Sequence, residues 1–278
     1  MPIDPIVSAS TLRGRSDVSF FDCRTDASAY AAGHLPGAVH VDLERDLATP
    51  PADPRDGGRH PLPEVRALCA RLGALGLTQN THVIAYDDQN GAHAAARLWW
   101  LLRALGHARV QVVDGGLAAL REAGFELTTE PPTLAAAPAY PARAYVLPTA
   151  DLAEVDWARE QSDCAVLDVR DAARFRGENE PIDPVAGHIP GAHNVPYTDN
   201  LTEAGTFKTA DALRTQYESA LPGISPERLI VHCGSGVTAC HTLLALERAG
   251  LGGAKLYVGS WSEWCRHPEL PRATAAAI

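Results

Sequence analysis

The segment LIVHCGSGVTACHTLLALERAG, residues 229–250, places a cysteine where an apolar strand gives way to a helix. The loop that begins at Cys233 continues through Gly234, Ser235, Gly236, Val237, Thr238 and Ala239. Glycines let the backbone curl so that several amides face one point, and a helix N-terminus adds unpaired amides and a positive dipole end. Both effects favour a thiolate over a thiol. We therefore expect Cys233 to be a nucleophile held in an anion-binding loop.

The same loop argues against phosphoryl transfer. Phosphatases that use a thiolate at a strand-to-helix turn need a longer loop around three phosphate oxygens, closed by an arginine with bidentate contacts. The sequence has no arginine or lysine between Cys233 and Ala239. A phosphatase is therefore a weak alternative, which Cys233-dependent hydrolysis of an aryl phosphate would revive.

An internal repeat divides the chain. Four segments occur twice in the same order: FFDCR (20–24) with VLDVR (166–170), GHLPGAVHV (33–41) with GHIPGAHNV (187–195), 82–106 with 229–250, and VQVVDGGLAAL (110–120) with KLYVGSWSEW (255–264). Asp87 falls at the place of Cys233, 146 positions earlier. A repeat of this length predicts a duplicated domain. We expect domains at 1–130 and 145–278, joined by a Pro- and Ala-rich linker at 131–144.

The elements around Cys233 can be predicted from apolar periodicity. CAVLDVR, RLIVHC and AKLYV have the pattern of buried strands, and TADALRTQYESAL and GVTACHTLLALERAG carry apolar residues at helical spacing. Thr209 is expected to start the first helix and Gly250 to end the second. Continuous apolar strands separated by helices predict α/β domains, each a mostly parallel sheet flanked by helices. Sites in such sheets lie at the carboxyl ends of strands, where Cys233 lies.

Composition narrows the class of function. The chain has 278 residues, of which 46% are hydrophobic, and a formal net charge of −10. This charge disfavours a nucleic-acid or anionic-membrane surface, which would need clustered basic residues. No apolar run approaches the roughly 20 residues of a membrane helix, and MPIDPIVSAS lacks the features of a signal peptide. A cytoplasmic protein is expected. The 6 cysteines are too sparse for a disulfide framework and lack zinc-ribbon spacing.

Several of these features together resemble the rhodanese family over roughly residues 5–270. They are the tandem halves, the GHLPGA and GHIPGA segments, the loop starting at Cys233 in the second half only, and YVGSWSEW near the end. The loop CGSGVTA resembles that of the family's 3-mercaptopyruvate sulfurtransferases. Members specific for thiosulfate typically have two basic residues where this chain has Gly234 and Ser235.

The resemblance implies a sulfurtransferase that works without a metal or organic cofactor. Sulfane sulfur would pass from a small anionic donor, 3-mercaptopyruvate, to a thiophilic acceptor through a persulfide on Cys233. The acceptor would be cyanide, a low-molecular-weight thiol or a thioredoxin-like protein. The first domain would be catalytically silent, which agrees with Asp87 at the place of the cysteine.

An anionic donor requires cationic partners near the loop. LDVRDAARFRGENEP supplies Arg170, Arg174 and Arg176 after a strand that should neighbour the Cys233 strand. By resemblance, Arg174 is the donor-binding arginine, and Arg170 stands at a D-x-R position that often braces this region. Nine residues after Arg174, where mercaptopyruvate enzymes commonly have a second arginine, this chain has Asp183. Thiosulfate-specific relatives tend to have an acid there, and Arg176 is the substitute considered for the missing arginine.

Histidines enter the prediction through the same resemblance. Ser235 is expected to pair with a histidine from the first half, for which His34 of GHLPG is the match and Asp26 the acidic residue considered beside it. The corresponding His188 is interpreted as fixing its own loop by hydrogen bonds. His232 and His241 are not expected to bind a metal, because strand alternation points His232 away from Cys233.

Two alternatives stay open. Thiosulfate:cyanide transfer is one, and the other is a non-catalytic persulfide carrier or interaction module, which would form a persulfide without useful turnover. The four tryptophans near the repeated helices are interpreted chiefly as packing residues: Trp99, Trp100, Trp261 and Trp264.

Overall fold

The computed structural model describes residues 3–274. By their internal contacts these residues form two compact units. Unit 1 contains the residues up to Thr49, then Leu62–Leu147 and Ala204–Thr206. Unit 2 contains Pro50–Pro61, Pro148–Glu203 and the residues from Phe207 onward.

Unit 1 is a parallel sheet with helices between its strands. Along the described chain its elements are β1 (Ile6–Ser8), a 3-10 helix (Ala9–Leu12), β2 (Ser19–Asp22), α1 (Ala27–Ala32), β3 (Val39–His40), α2 (Leu43–Asp46), α3 (Val65–Ala74), β4 (Val83–Tyr86), α4 (Ala94–Ala104), β5 (Val110–Asp114) and α5 (Gly116–Glu122). The strands pair in the order β1-β5-β4-β2-β3, each pair parallel.

Unit 2 repeats this plan. Its elements in the described chain are β6 (Thr149–Ala150), α6 (Leu152–Ala158), β7 (Ala165–Asp168), α7 (Ala172–Phe175), β8 (His193–Asn194), a 3-10 helix (Tyr197–Asn200), α8 (Ala210–Ala220), a 3-10 helix (Pro226–Arg228), β9 (Leu229–His232), α9 (Thr238–Arg248), β10 (Lys255–Tyr257) and α10 (Ser260–Trp264). The strand order β6-β10-β9-β7-β8 matches that of unit 1, again with parallel pairs.

The central strands explain why this fold forms. β4 (VIAY) and β9 (LIVH) are buried at every residue, the pattern of a parallel strand covered on both faces. The predicted α/β fold with two parallel sheets is confirmed. Thr209 caps the start of α8 as predicted, and its side chain accepts a hydrogen bond from the Ala212 amide. Gly250, just beyond α9, has a φ of +71°, the left-handed conformation that ends many helices.

Three segments differ from the predicted division, and the shortest is Ala204–Thr206, which belongs to unit 1 although the sequence placed it in the second domain. Residues 50–61, which we call the strap, belong to unit 2, although the sequence placed them in the first domain. Within unit 2 the strap is held by the Gly57 amide, which donates to Oε1 of Glu263 (3.0 Å), and by the Arg59 amide, which donates to Oγ of Ser262 (3.1 Å). Both acceptors lie on α10, so the strap is fixed to the helix that follows β10.

The predicted linker at 131–144 packs on unit 1. The Ala137 amide donates to the Gly73 carbonyl (2.8 Å) and the Tyr140 amide to the Cys69 carbonyl (2.9 Å). Tyr140 itself is buried, so this segment is part of the first unit's surface layer. Among the described residues, no helix is both long and apolar enough to cross a membrane.

Candidate active site

Cys233 lies at the carboxyl end of β9, and the loop that follows it is supported by the start of α10. The Cys233 amide donates to Oγ of Ser260 (3.2 Å), and the Cys233 carbonyl accepts from the Trp261 amide (3.0 Å). The Gly234 carbonyl accepts from the Ser262 amide (2.9 Å). Cys233 is only 2% exposed. These bonds fix the loop backbone, so the thiol has a defined position between strand and helix.

Gly236 makes the turn into α9 possible. Its φ is +75°, a conformation that glycine adopts without steric cost. A Cβ atom at this position would lie 2.7 Å from the Val258 carbonyl oxygen, so the neighbouring chain also excludes a side chain. The curled backbone leads into the N-terminus of α9, where the first amides have no intrahelical acceptor. The loop therefore has the form of an anion-binding turn.

Two guanidinium groups lie over this loop. A Cβ atom built on Gly234 would be 3.1 Å from Nη2 of Arg59 and 3.5 Å from Nη2 of Arg174. Arg174 comes from α7, whose N-terminus is capped by Asp171 through the Ala173 amide (2.8 Å). Arg59 comes from the strap. The two side chains bring positive charge next to the residue that follows Cys233, where an anionic donor would be attracted.

Buried carboxylates hold these arginines. Arg174 donates through Nη2 to Oε1 of Glu180 (2.7 Å) and through Nε to Oε2 (3.1 Å). Arg59 donates through Nη1 to Oδ1 of Asp183, which also accepts from Nη1 of Arg266 (3.0 Å). The side chains of Glu180 and Asp183 are 3% and 0% exposed. Such ion pairs hold both guanidinium groups in fixed directions.

Ser235, two residues after Cys233, has a histidine partner. Its Oγ lies 2.8 Å from Nδ1 of His60, which follows Arg59 in the strap. Ser235 is 6% exposed. A hydroxyl paired with an imidazole next to a thiol can donate a hydrogen bond to a substrate and can relay a proton. The strap thus supplies a guanidinium group and an imidazole to the same loop.

Sequence comparison accounts for this architecture. A sequence model described as the Rhodanese-like domain matches residues 8–123 and again residues 151–267. The chain belongs to the rhodanese family. It is 45% identical over 272 residues to a Pseudomonas aeruginosa protein named "Probable 3-mercaptopyruvate sulfurtransferase", with 93% of each chain covered.

Two further similarities bear on the donor. The chain is 42% identical over 258 residues to "Putative thiosulfate sulfurtransferase SseB" of Mycobacterium tuberculosis, covering 89% of this chain and 86% of that protein. The solved structure of 3-mercaptopyruvate sulfurtransferase from Leishmania major matches with a TM-score of 0.83 and 28% identity, covering 97% of this chain and 77% of that one. Both similarities extend over two rhodanese-like units.

Within this rhodanese fold, the arginines predicted from the sequence have different surroundings. Arg174 lies at the loop as expected. Arg170 is 2% exposed, pairs with Asp168 (2.6 Å) and Glu180 (3.2 Å), and stacks 4.7 Å over Trp261. The N–H groups of Arg170 are directed at protein groups. We therefore correct its prediction as a substrate-binding residue and assign it the bracing role of the D-x-R position. Burial alone would raise the pKa of Asp168, but Arg170 reverses this and lowers it.

Arg176 is also corrected. It lies just beyond α7 and forms a bidentate pair with Glu178 (2.7 and 2.8 Å) at the protein surface. It lines a cavity of about 420 Å³ beside His188. The guanidinium group that joins Arg174 at the loop is that of Arg59, so Arg176 is not the substitute for the missing second arginine.

His34 is not the partner of Ser235. Its ring nitrogens each lie 3.0 Å from a backbone carbonyl oxygen of unit 1, those of Tyr30 and Glu130. Asp26, considered as its acidic partner, instead caps α1 by accepting from the Ser28 amide (2.8 Å). In the structure, the histidine that contacts Ser235 is His60.

The other histidines and tryptophans considered in the sequence analysis have packing roles. Nδ1 of His188 lies 2.7 Å from the Phe175 carbonyl, which fixes this loop as predicted. Burial lowers the pKa of His232 and that of His241, the latter to about 3, so both rings are neutral. Trp261 and Trp264 are fully buried in the core of unit 2, and Trp99 and Trp100 are buried in α4.

Sequence reasoning missed Arg59, His60 and Arg266. The first two lie in DGGRHP, at positions whose repeat equivalents 146 residues later are Gly205 and Thr206, so no repeated motif draws attention to them. A usable signal was the pairing of a basic residue with a histidine in a Pro- and Gly-rich segment without apolar periodicity. Loops of this kind often carry functional residues on a rigid scaffold.

Proposed function

We propose that this chain is a 3-mercaptopyruvate sulfurtransferase that works through a persulfide on Cys233. The observation that carries the proposal is the hydrogen bond that Ser235, in the loop beginning at Cys233, makes with His60 of the strap. A hydroxyl and an imidazole suit a donor with a carbonyl oxygen and a thiol proton. The overlying Arg59 and Arg174 suit the donor's carboxylate.

In the first half of the reaction, the Cys233 thiolate attacks the sulfur of the donor. The new S–S bond forms while the donor's C–S bond breaks, and the electron pair of that bond remains on carbon as the enolate of pyruvate. The proton of the donor's thiol is transferred to the enolate, giving pyruvate and an anionic persulfide on Cys233. Ser235 with His60 would relay this proton or donate a hydrogen bond to the enolate oxygen.

In the second half, a nucleophilic acceptor attacks the outer sulfur of the persulfide. With cyanide the products are thiocyanate and the restored thiolate, and with a thiol they are a new persulfide on the acceptor and the same thiolate. Donor and acceptor therefore react in turn, which predicts ping-pong kinetics. A small thiol or a thioredoxin-like protein in the cytoplasm would be the natural acceptor under this proposal.

Thiosulfate is the second candidate donor. The Mycobacterium tuberculosis relative carries a thiosulfate sulfurtransferase name, and Asp183 is an acid at a position where thiosulfate-specific members also tend to have one. The loop of those members, however, is basic after the cysteine, and here Gly234 and Ser235 are neutral. The hydroxyl of Ser235 has no enolate or thiol proton to serve when thiosulfate is the donor.

The decisive experiment compares kcat/KM for 3-mercaptopyruvate and thiosulfate, with cyanide as acceptor and Cys233→Ser as the blank. We expect a large preference for mercaptopyruvate. Ser235→Ala should lower kcat with mercaptopyruvate by about 10- to 100-fold and change kcat with thiosulfate little. Ser225→Ala, a serine that precedes the 3-10 helix before β9, is the control.

A preference for thiosulfate, or equal losses with both donors in Ser235→Ala, would contradict the proposal. Persulfide formation without turnover on either donor would favour the carrier alternative.

A further inference from the structure

Asp183 stands among three arginines that come from three different segments. Arg59 of the strap and Arg266, two residues beyond α10, both donate to Oδ1 of Asp183. Nη2 of Arg174, on α7, lies 3.6 Å from Oδ2. The Asp183 side chain is 0% exposed, so this carboxylate is a buried centre of the cluster rather than a surface group.

The two oxygens of Asp183 are used unequally. Oδ1 accepts from two guanidinium groups, whereas Oδ2 has no hydrogen-bond partner among the described residues. A buried carboxylate oxygen without a donor is unfavourable, and Nη2 of Arg174, 3.6 Å away, is close enough for charge attraction to offset part of this cost without a hydrogen bond. Arg174 can then keep its bidentate contact with Glu180 and still turn an Nη group toward a ligand.

The cluster has one positive charge more than it has negative charges. Four guanidinium groups face three carboxylates: those of Arg59, Arg170, Arg174 and Arg266 against those of Asp168, Glu180 and Asp183. Both guanidinium groups nearest the loop, Arg59 and Arg174, lie over Gly234.

We propose that Asp183 is a positioning residue, which holds Arg59 beside Arg174 so that the two guanidinium groups form a clamp for the donor's carboxylate. An acid next to an anion-binding site then increases affinity for the anion, because it fixes the cation that binds it. The inference rests on the proposed function, since it concerns how the same site binds its donor.

A purely electrostatic role and a positioning role of Asp183 predict opposite effects of Asp183→Asn on KM. If only the charge of Asp183 mattered, its removal would tighten the binding of an anion and lower KM. If Asp183 acts by holding Arg59, KM for mercaptopyruvate should rise by about tenfold or more, the loss expected for a charge-assisted bidentate contact, with kcat changed less than threefold. Asp183→Glu should recover part of the affinity.

Arg59→Gln provides the second variant, which is needed because neutralising a buried carboxylate can unfold the protein. The Arg59 side chain is 21% exposed, and its replacement should raise KM by the same factor. In the double variant, KM should be no higher than in Arg59→Gln alone, since both changes remove one interaction. Glu178→Gln removes an exposed acid from the neighbouring segment and should leave KM unchanged.

An unchanged or lower KM in folded Asp183→Asn, an unchanged KM in Arg59→Gln, or additive effects in the double variant would each overturn the inference. The proposed function fails in a different way, namely if the unaltered protein does not turn over mercaptopyruvate. Thermal unfolding of every variant separates loss of positioning from loss of fold.

Discussion

Asp87 of unit 1 and Cys233 of unit 2 follow the central strands β4 and β9 of two sheets with the same strand order. The backbone at both places is held in the same way. The Leu117 amide donates to the Asp87 carbonyl (2.8 Å), as the Trp261 amide does to the Cys233 carbonyl (3.0 Å). The two units therefore present one backbone frame with two different side chains.

In unit 1 the frame is filled by the side chain itself. The Asp87 carboxylate accepts four backbone amides: Gln89 (2.9 Å), Gly91 (2.8 Å), His93 (3.1 Å) and Ala95 (3.2 Å). Burial raises the pKa of Asp87, and the four amides act against this rise. A carboxylate oxygen is two bonds from Cβ, as is the outer sulfur of a cysteine persulfide. Asp87 thus occupies its loop as a persulfide would occupy the loop of Cys233.

The comparison separates what the frame provides from what the surroundings provide. The loop of unit 1 is two residues longer: Asp87 and Cys233 are 146 positions apart, whereas Ala94 and Thr238, which start the helices, are 144 apart. In unit 2 the strap adds Arg59 and His60 to the loop. An anion-binding turn is thus common to both units, and chemistry requires in addition a thiol, a proton relay and cations.

The largest effect is expected from Cys233→Ser, which should lower kcat/KM by at least about 1,000-fold because the hydroxyl is a far weaker nucleophile. Mass spectrometry after incubation with donor alone should find the mass of one added sulfur atom on the unaltered protein and none on the variant. Cys164→Ser, which changes a partly buried thiol of unit 2, is the matched control.

The Cys233→Ser variant also tests whether a thiol in the shared backbone frame is sufficient for turnover. Asp87→Cys added to Cys233→Ser should restore no turnover, since its loop lacks the strap residues. Recovered turnover would show that a thiol in the common frame is enough, and the distinction between the two units would fail.

The next largest effect is expected from Asp87→Ala. Four buried amides would lose their acceptor, so the free energy of unfolding of unit 1 should fall by about 2–4 kcal/mol. Asp87→Asn keeps one acceptor oxygen and should lose less. Urea unfolding followed by tryptophan fluorescence measures the change, with the two units fitted as separate transitions.

Turnover in folded Asp87→Ala should stay within twofold of that of the unaltered protein. Unchanged stability would indicate that water replaces the carboxylate, and that the filled loop of unit 1 does not depend on Asp87.

A comparison of equivalent buried positions in the two units also predicts which unit loses stability at low pH. Arg97 on α4 and His241 on α9 are 144 positions apart and both fully buried. Burial lowers the pKa of His241 to about 3 from 6.5. Below pH 6.5 the unfolded chain binds a proton that the folded state does not, so stability falls as pH falls between 6.5 and about 3.

We therefore expect the free energy of unfolding of unit 2 to fall less steeply with decreasing pH in His241→Asn than in the unaltered protein. The difference in slope should be up to about 1.4 kcal/mol per pH unit. Stability measured by urea unfolding between pH 7 and about pH 4 gives the two slopes. Parallel slopes for variant and unaltered protein would mean that other groups set the acid sensitivity, the depressed pKa of Asp168 being one of them.

How far the sequence predicts this molecule depends on whether a residue lies in a repeated element. The strands, α8, α9 and the loop of Cys233 follow from apolar periodicity and from the spacing of glycines, which are local properties. Arg174 was found because it follows β7, a neighbour of β9. Arg59 and His60 were not, since the strap is an irregular segment whose partners lie more than 120 positions away. His34 was matched through the family resemblance to a histidine of the repeated GHLPG motif, yet a repeated motif marks the shared fold rather than the site.

The smallest effect concerns the turn that supports both loops. Gly116 and Ser260 start α5 and α10 with φ of +57° and +54°, a conformation that costs a non-glycine residue about 1 kcal/mol. Ser260 is retained in unit 2 for its hydroxyl, which accepts from the Cys233 amide (3.2 Å) and donates to the Tyr257 carbonyl (2.9 Å). Unit 1 has the unstrained glycine without this hydroxyl.

Ser260→Ala and Ser260→Gly both remove the hydroxyl, but only the glycine relieves the backbone strain. The glycine variant should therefore be more stable than the alanine variant by about 1 kcal/mol, and both should lose turnover because the Cys233 amide loses its acceptor. Thermal unfolding and kcat measured on the pair separate the two contributions. Equal stabilities would mean that unit 2 accommodates the left-handed turn without strain, and normal turnover in both would show that the hydroxyl does not position Cys233.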